Sequence, residues 1–104
     1  MLEAKSSTLV KDGVAVFPDA KTERGRRHVT DLAKAEKEGY RACVIFMVQR
    51  TDAHVFAPGD ETDPEFGKAL RNAAMEGVEV YAYKMGISPD FSLLSLSSKL
   101  DVSL

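Results

Sequence analysis

Arg41-Ala42-Cys43-Val44-Ile45-Phe46-Met47-Val48-Gln49 is almost entirely apolar and does not alternate. A run of this length is right for a strand and short for a helix. Without alternation it reads as a central strand covered on both faces. A polar loop follows, 50–62. Asp63-Pro64-Glu65 then opens a helix: an Asp N-cap, Pro at the first helical position and an acid in the first turn. Phe66, Ala69, Leu70 and Ala73 form its apolar stripe, and Gly77 ends it. Val78-Glu79-Val80-Tyr81-Ala82-Tyr83 alternates as a second strand. Strand, helix, strand over 41–83 is a βαβ unit, which makes the two strands parallel.

Upstream, Thr22 suits an N-cap, Glu23 the first turn and Gly39 the position after the helix, which predicts a helix to Glu38. At 100° per residue, Gly25, Val29, Leu32, Ala33 and Glu36 share one side, with Gly25 allowing close approach to a sheet. Arg24, Arg27, His28 and Asp31 share an adjoining side. Before this helix, Leu2 to Val10 alternates, Lys11-Asp12-Gly13 is a turn, and Val14-Ala15-Val16-Phe17 returns. Residues 1–17 therefore read as an N-terminal β-hairpin. The expected architecture is α/β: a mixed sheet with that hairpin, two main helices and the βαβ unit in one domain, 1–87. The tail, 88–104, reads as frayed, with Pro89 able to start a short helix after Ser88.

The 104 residues suffice for one domain with a modest core. With 44% hydrophobic and 29% charged residues the composition is globular. Net charge is −2, so attraction to a polyanion must come from a local patch. The single cysteine, Cys43, excludes a disulfide framework or a Cys-rich zinc site within the chain and reads as a small core residue. No apolar run approaches the roughly 20 residues of a membrane span. No signal-peptide pattern is present, so cytoplasm is the expected location and no membrane partner is expected.

Two features point to chemistry. On a strand, Glu3 and Lys5 project from the same face, roughly 6.5 to 7 Å apart. A carboxylate beside an ammonium can hold a divalent metal and a water next to a phosphate. The plainer reading is a surface ion pair. The second feature is Lys21, Arg24, Arg26, Arg27 and His28 around a helix start, where the dipole disfavours cations. An anion bound there makes sense of the cluster; a solvated charged face is the alternative. Gln49 and Arg50 end the central strand, where ligands bind in open α/β sheets. Asp60, Glu61 and Asp63 are accounted for by capping and loop solvation.

In series, Glu3-x-Lys5, Phe17-Pro18-Asp19-Ala20-x-Thr22-x-Arg24-Gly25-x-x-His28, Gly39-x-Arg41-Ala42, Gln49-Arg50-x-Asp52, Asp60-Glu61-x-Asp63-Pro64 and Gly77-Val78-Glu79-Val80 resemble the sugar fermentation stimulation protein A (SfsA) family over roughly residues 1 to 89. The resemblance implies a cytoplasmic protein with an OB-like N-terminal domain and a restriction-endonuclease-like, PD-(D/E)XK, C-terminal domain. It implies DNA binding with little sequence preference and a role in regulating sugar (maltose) metabolism. Glu3 would ligate Mg2+ or Mn2+, and Lys5 would orient water or stabilise phosphate charge. Arg24, His28, Gln49 and Arg50 would line the same cleft.

The family carries a long region before Glu-x-Lys, including its first metal-binding aspartate, whereas Met1 stands two residues before Glu3. The expectation is a partial core with an incomplete catalytic set, DNA-binding rather than enzymatic as it stands. The alternatives are a metal-dependent nuclease or phosphodiesterase, with Asp19 the nearest candidate for the missing carboxylate, and a small α/β protein-interaction module. An unpaired first strand also leaves room for a homodimer through an exposed sheet edge.

Overall fold

The computed structural model of the chain describes residues 1–50, 52–86 and 96–104. The elements are β1 (Leu2–Ser7), β2 (Leu9–Lys11), β3 (Val14–Phe17), α1 (Glu23–Lys37), β4 (Cys43–Val48), β5 (Val55–Pro58), α2 (Pro64–Met75), β6 (Glu79–Gly86) and β7 (Leu96–Val102). The strands form one seven-stranded mixed sheet in the order β1-β4-β6-β7-β5-β3-β2. β4 pairs in parallel with both β1 and β6, so the βαβ expectation is met, with Val44 opposite Val80.

Helix boundaries follow local chemistry. The Thr22 hydroxyl accepts from the Gly25 N–H at 2.9 Å to start α1. Asp63 does the same for Phe66 at 3.1 Å to start α2, with Pro64 beside it. Val29, Leu32 and Ala33 of α1 and Phe66, Leu70 and Ala73 of α2 join one buried cluster with Val44, Phe46, Val48 and Ala82 of the sheet. Both helices therefore cover the same sheet face. An added Cβ at Gly25 would meet Thr22 and the Phe66 ring, so Gly25 allows contact with the cap and α2 rather than with the sheet. Glu36, the polar member of the apolar side of α1, accepts the Ala42 N–H at 2.8 Å.

Four expectations are corrected. First, the N-terminal alternating stretch is two strands. β1 pairs with β4, and only β2 forms the hairpin with β3, around Asp12 (φ 52°) and Gly13 (φ 80°). Alternation specifies faces, not partners. The two strands part at Thr8, next to buried Ser7, whose hydroxyl donates to the Val16 carbonyl at 2.8 Å. We expect Ser7→Ala to cost about 1 kcal/mol in urea unfolding, the usual net value of one such bond. Second, among the described residues the helices cover only one face of β4. Val44, Phe46 and Val48 are fully buried, while Cys43, Ile45 and Met47 are half-buried on the other face. Third, the 50–62 loop contains β5, a short strand ending at Pro58 and held between β3 and β7. Fourth, the tail is not frayed over Leu96–Val102: β7 runs antiparallel to β6, with Leu100 buried opposite Ala82. The expected helix start at Ser88-Pro89 lies outside the described residues.

Among the described residues, no helix is long and apolar enough to cross a membrane.

Candidate functional site

β1 lies at one end of the sheet, and its alternation decides what faces the helices. Glu3, Lys5 and Ser7 register with Val44, Phe46 and Val48, the helix-covered face. Leu2, Ala4 and Ser6 are exposed. A charged pair is thus turned towards α1, which brings His28 over it.

Lys5 Nζ lies 3.5 Å from Glu3 Oε1 and 3.4 Å from His28 Nδ1. His28 Nδ1 lies 3.2 Å from Glu3 Oε1. The Lys5 side chain is only 10% exposed, against 33% for Glu3 and 31% for His28. Its ammonium also sits 5.9 Å from the centre of the Phe17 ring, within cation–π range. Burying an ammonium is costly unless it is paired, and Glu3 and the ring supply that pairing. His28 Nδ1 can donate to Glu3 or accept from Lys5, not both, so the cluster offers two proton placements.

The other candidates distribute around this cluster. Lys21, Arg24 and Arg27 are exposed and Arg26 is half-buried. Arg26 and Arg27 line a crevice of about 560 Å3 between α1 and α2, with Glu23, Thr30, Glu65, Lys68 and Ala69. The basic start of α1 is therefore split: His28 reaches β1, while Arg26 and Arg27 turn to α2. Lys68 and Glu65 belong to this crevice, though the sequence marks Glu65 only as a first-turn acid of α2 and Lys68 not at all.

Gln49 and Arg50 are exposed past the end of β4, and the Gln49 N–H donates to the Ser7 carbonyl at 3.0 Å. Arg50 grips Asp52 with two bonds, of 3.0 and 2.6 Å, which hold that carboxyl below its usual range. Asp19 is exposed beside Ser6, Ser7 and Thr8, at the same end of the sheet. Among the described residues, no hydrogen bond or ion pair joins it to Glu3 or His28. Direct contact thus unites Glu3, Lys5 and His28, while Asp19, Gln49 and Arg50 gather at the carboxyl ends of β1 and β4.

The loop acids behave as capping and ion-pair groups. Asp60 pairs with Arg71 at 2.6 Å and Glu61 with Lys11 at 3.8 Å. Asp63 caps α2 and also accepts the Thr22 N–H at 2.9 Å. A second charged cluster, which joins two of the family-like sequence blocks, lies on the other sheet face. There Arg41 and the Tyr81 hydroxyl both donate to Glu79, each with a 2.6 Å bond. The Arg41 bond, with that of Tyr81, lowers the Glu79 carboxyl to about 2.

A hard divalent cation takes about six or more oxygen ligands. Glu3 and His28 offer one carboxylate and one imidazole, with an ammonium beside them. Among the described residues, no group of three His, Cys, Asp or Glu side chains could hold a metal ion. These residues alone do not make up a magnesium or calcium site.

The family model described as "Sugar fermentation stimulation protein RE domain" matches residues 1–91. A sugar fermentation stimulation protein homolog of Caldanaerobacter subterraneus subsp. tengcongensis is 48% identical over 99% of this chain and 44% of its own length. A homolog from Thermoanaerobacter sp. (strain X514) is 53% identical over 89% of this chain and 40% of its own length. The solved structure of Pyrococcus furiosus SfsA in complex with Ca2+ matches with a TM-score of 0.92 at 28% identity, over 99% of this chain and 44% of that one. The chain spans less than half the length of the relatives it matches. With its nuclease-like α/β fold and a family match over all but the last residues, the chain belongs to the sugar fermentation stimulation protein family and corresponds to its RE domain.

Proposed function

We propose that this chain binds DNA phosphates with little base preference, along the surface where α1 approaches β1. The observation that carries this reading is the meeting of Glu3, Lys5 and His28 beneath the arginine-rich start of α1. Arg24 and Lys21 supply phosphate contacts, Arg26 and Arg27 continue them around α1 into the crevice beside α2, and Gln49 and Arg50 extend them past the end of β4. In the PD-(D/E)XK manner, Glu3 is this chain's ligand to a divalent ion such as Mg2+ or Mn2+, with phosphate oxygens and water as further ligands. The Ca2+ held by the Pyrococcus furiosus relative supports that reading. One carboxylate favours binding over cleavage. With DNA as the partner, the cytoplasm is the proposed location; the proposed role is regulation of sugar (maltose) metabolism, of which the family's name supports the sugar part.

The test is fluorescence anisotropy with a short duplex between 50 and 200 mM salt. Log affinity is expected to fall linearly with log salt. Arg24→Ala, Arg26→Ala and Arg27→Ala should each flatten the slope by about 0.9, one phosphate contact. A salt-independent signal, or unchanged slopes in all three variants, removes the proposal.

Hydrolysis is a second reading, favoured by His28 beside Glu3, a proton acceptor next to a carboxylate. Mg2+- or Mn2+-dependent cleavage lost in Glu3→Gln and Lys5→Ala supports it. No cleavage with any divalent metal ends it.

A further inference from the structure

We infer that a DNA backbone phosphate seats in the crevice between α1 and α2, held by Arg26, Arg27 and Lys68, with Glu65 as the group it displaces; this rests on the nucleic-acid reading above. The DNA-contacting surface thus extends from α1 onto α2, and Lys68 joins the phosphate contacts.

Helix spacing builds the two walls. Glu23, Arg26, Arg27 and Thr30 stand at i, i+3, i+4 and i+7, which lines them up along one side of α1. Glu65, Lys68 and Ala69 repeat the first three places of that spacing on α2. The walls are also tied together. Asp63 accepts the Thr22 N–H at 2.9 Å and the Phe66 N–H at 3.1 Å, so one carboxylate fixes the starts of both helices. An added Cβ at Gly25 would stand 3.5 Å from the Phe66 ring, so the helices already touch there. The crevice, of about 560 Å3, therefore does not have to form when an anion arrives.

Charge then selects the occupant. Three cations and two acids line the crevice, with Ala69 as its apolar member. Arg26 makes its hydrogen bonds through its backbone. Its N–H donates to the Thr22 carbonyl at 3.1 Å, and its carbonyl accepts the Thr30 hydroxyl at 2.9 Å. Among the described residues, no ion pair takes up the Arg26 or the Arg27 guanidinium, and Lys68 pairs only with Glu65, Nζ to Oε1 at 3.5 Å. Those two side chains are 74% and 57% exposed. An exposed pair of this kind is weak and screened by salt, so Lys68 can exchange the carboxylate for a phosphate oxygen. A guanidinium fork takes two phosphate oxygens at once, and an ammonium adds a point charge. Arginines on one wall and a lysine on the other therefore suit a phosphodiester. Glu65, one turn before Lys68 on the same wall, stays beside the seated phosphate and opposes it. Lys68 and Glu65 thus act on DNA affinity in opposite directions.

The test is fluorescence anisotropy of the 104-residue chain with a short duplex between 50 and 200 mM salt, with a thermal melt of each variant. Lys68→Ala should flatten the slope of log affinity against log salt by about 0.9 and weaken A·T-rich and G·C-rich duplexes alike. Glu65→Gln should tighten binding about two- to fivefold at 100 mM salt, because a charge opposing the phosphate is gone. Glu38→Gln makes the same change in net charge at the far end of α1, roughly 16 Å along the axis from Arg27. With a Debye length of about 10 Å at that salt, it should shift affinity by less than about 1.5-fold. All three positions are exposed, so the melts should match wild type. Should Lys68→Ala melt early, Lys68→Gln keeps most of the stem and removes the charge. A wild-type slope in a folded Lys68 variant overturns the inference, as does a Glu65→Gln effect no larger than that of Glu38→Gln. Either result, with Arg24→Ala still flattening the slope, leaves the wider DNA reading standing. A wild type without salt-dependent binding removes both.

Discussion

Phe46→Ala is expected to cost about 3 to 5 kcal/mol, the range for removing a buried aromatic ring from a packed core. Small domains have about 5 to 15 kcal/mol of stability in total, so much of this chain would be unfolded near physiological temperature. Phe46 is fully buried in the middle of β4 and touches every layer of the core. Its ring stacks on Phe56 of β5 at 4.2 Å and meets Phe17 of β3 at 5.5 Å. It also packs edge-on to Phe66 of α2 at 6.4 Å. Two other strands and one helix pack on that ring, so little can collapse into the space it leaves. Urea unfolding followed by far-UV circular dichroism measures the loss. Ile45→Ala is the control. Ile45 is half-buried on the face turned away from α1 and α2, and about 1 kcal/mol is expected there from the smaller area removed from water. Equal losses at the two positions would show that the helix-covered face is not the main core.

The same β4 shows how far the sequence could be read. Its apolar run marks a strand, but the residues facing away from the helices, Cys43, Ile45 and Met47, are as apolar as Val44, Phe46 and Val48. Nothing in the run distinguishes a face that helices cover from one they leave half-exposed. β5 was hidden for a different reason. Val55-Phe56-Ala57 is too short to show periodicity and ends on a proline, so it resembles loop until β3 and β7 provide its partners. Lys99-Leu100-Asp101-Val102 does alternate, but the Ser-rich stretch before it suggested a frayed end. At the site, strand period put Glu3 and Lys5 on one face, and helix spacing put His28 near the arginines. That His28 would sit over Lys5, while Arg26 and Arg27 turn to α2, depends on how α1 crosses β1. That angle comes from tertiary packing, which no local pattern encodes.

The double role of Asp63 was half visible, and its loss should be the second largest effect. Asp63-Pro64-Glu65 announces a helix cap, and the carboxylate does accept the Phe66 N–H at 3.1 Å. Its other oxygen accepts the Thr22 N–H at 2.9 Å, from a residue that itself caps α1 through Gly25. One buried side chain therefore fixes the starts of both helices, and with them the position of the basic end of α1. Removing a cap costs about 1 kcal/mol, and leaving the Thr22 N–H without a partner adds about 1 to 3 kcal/mol. Asp63→Ala is thus expected to lose about 2 to 4 kcal/mol. Asp63→Asn should lose about half of that, because it keeps one acceptor oxygen for Phe66 but presents an amide N–H to Thr22. The effect carries a pH signature. The Thr22 N–H, then that of Phe66 and the charges of Arg26 and Lys21, hold the Asp63 carboxyl below its usual range against the opposing effect of burial. A carboxylate with a depressed pKa in the folded state stabilises fully above its unfolded pKa of about 3.9, and this contribution fades as pH falls through the lower folded value. The stability gap between wild type and Asp63→Asn should therefore be flat from about pH 5 to 8 and narrow steadily below about pH 4. Urea unfolding of both proteins across that range measures it. A gap that stays constant down to about pH 2 would mean that the carboxylate charge contributes nothing to joining the two helices.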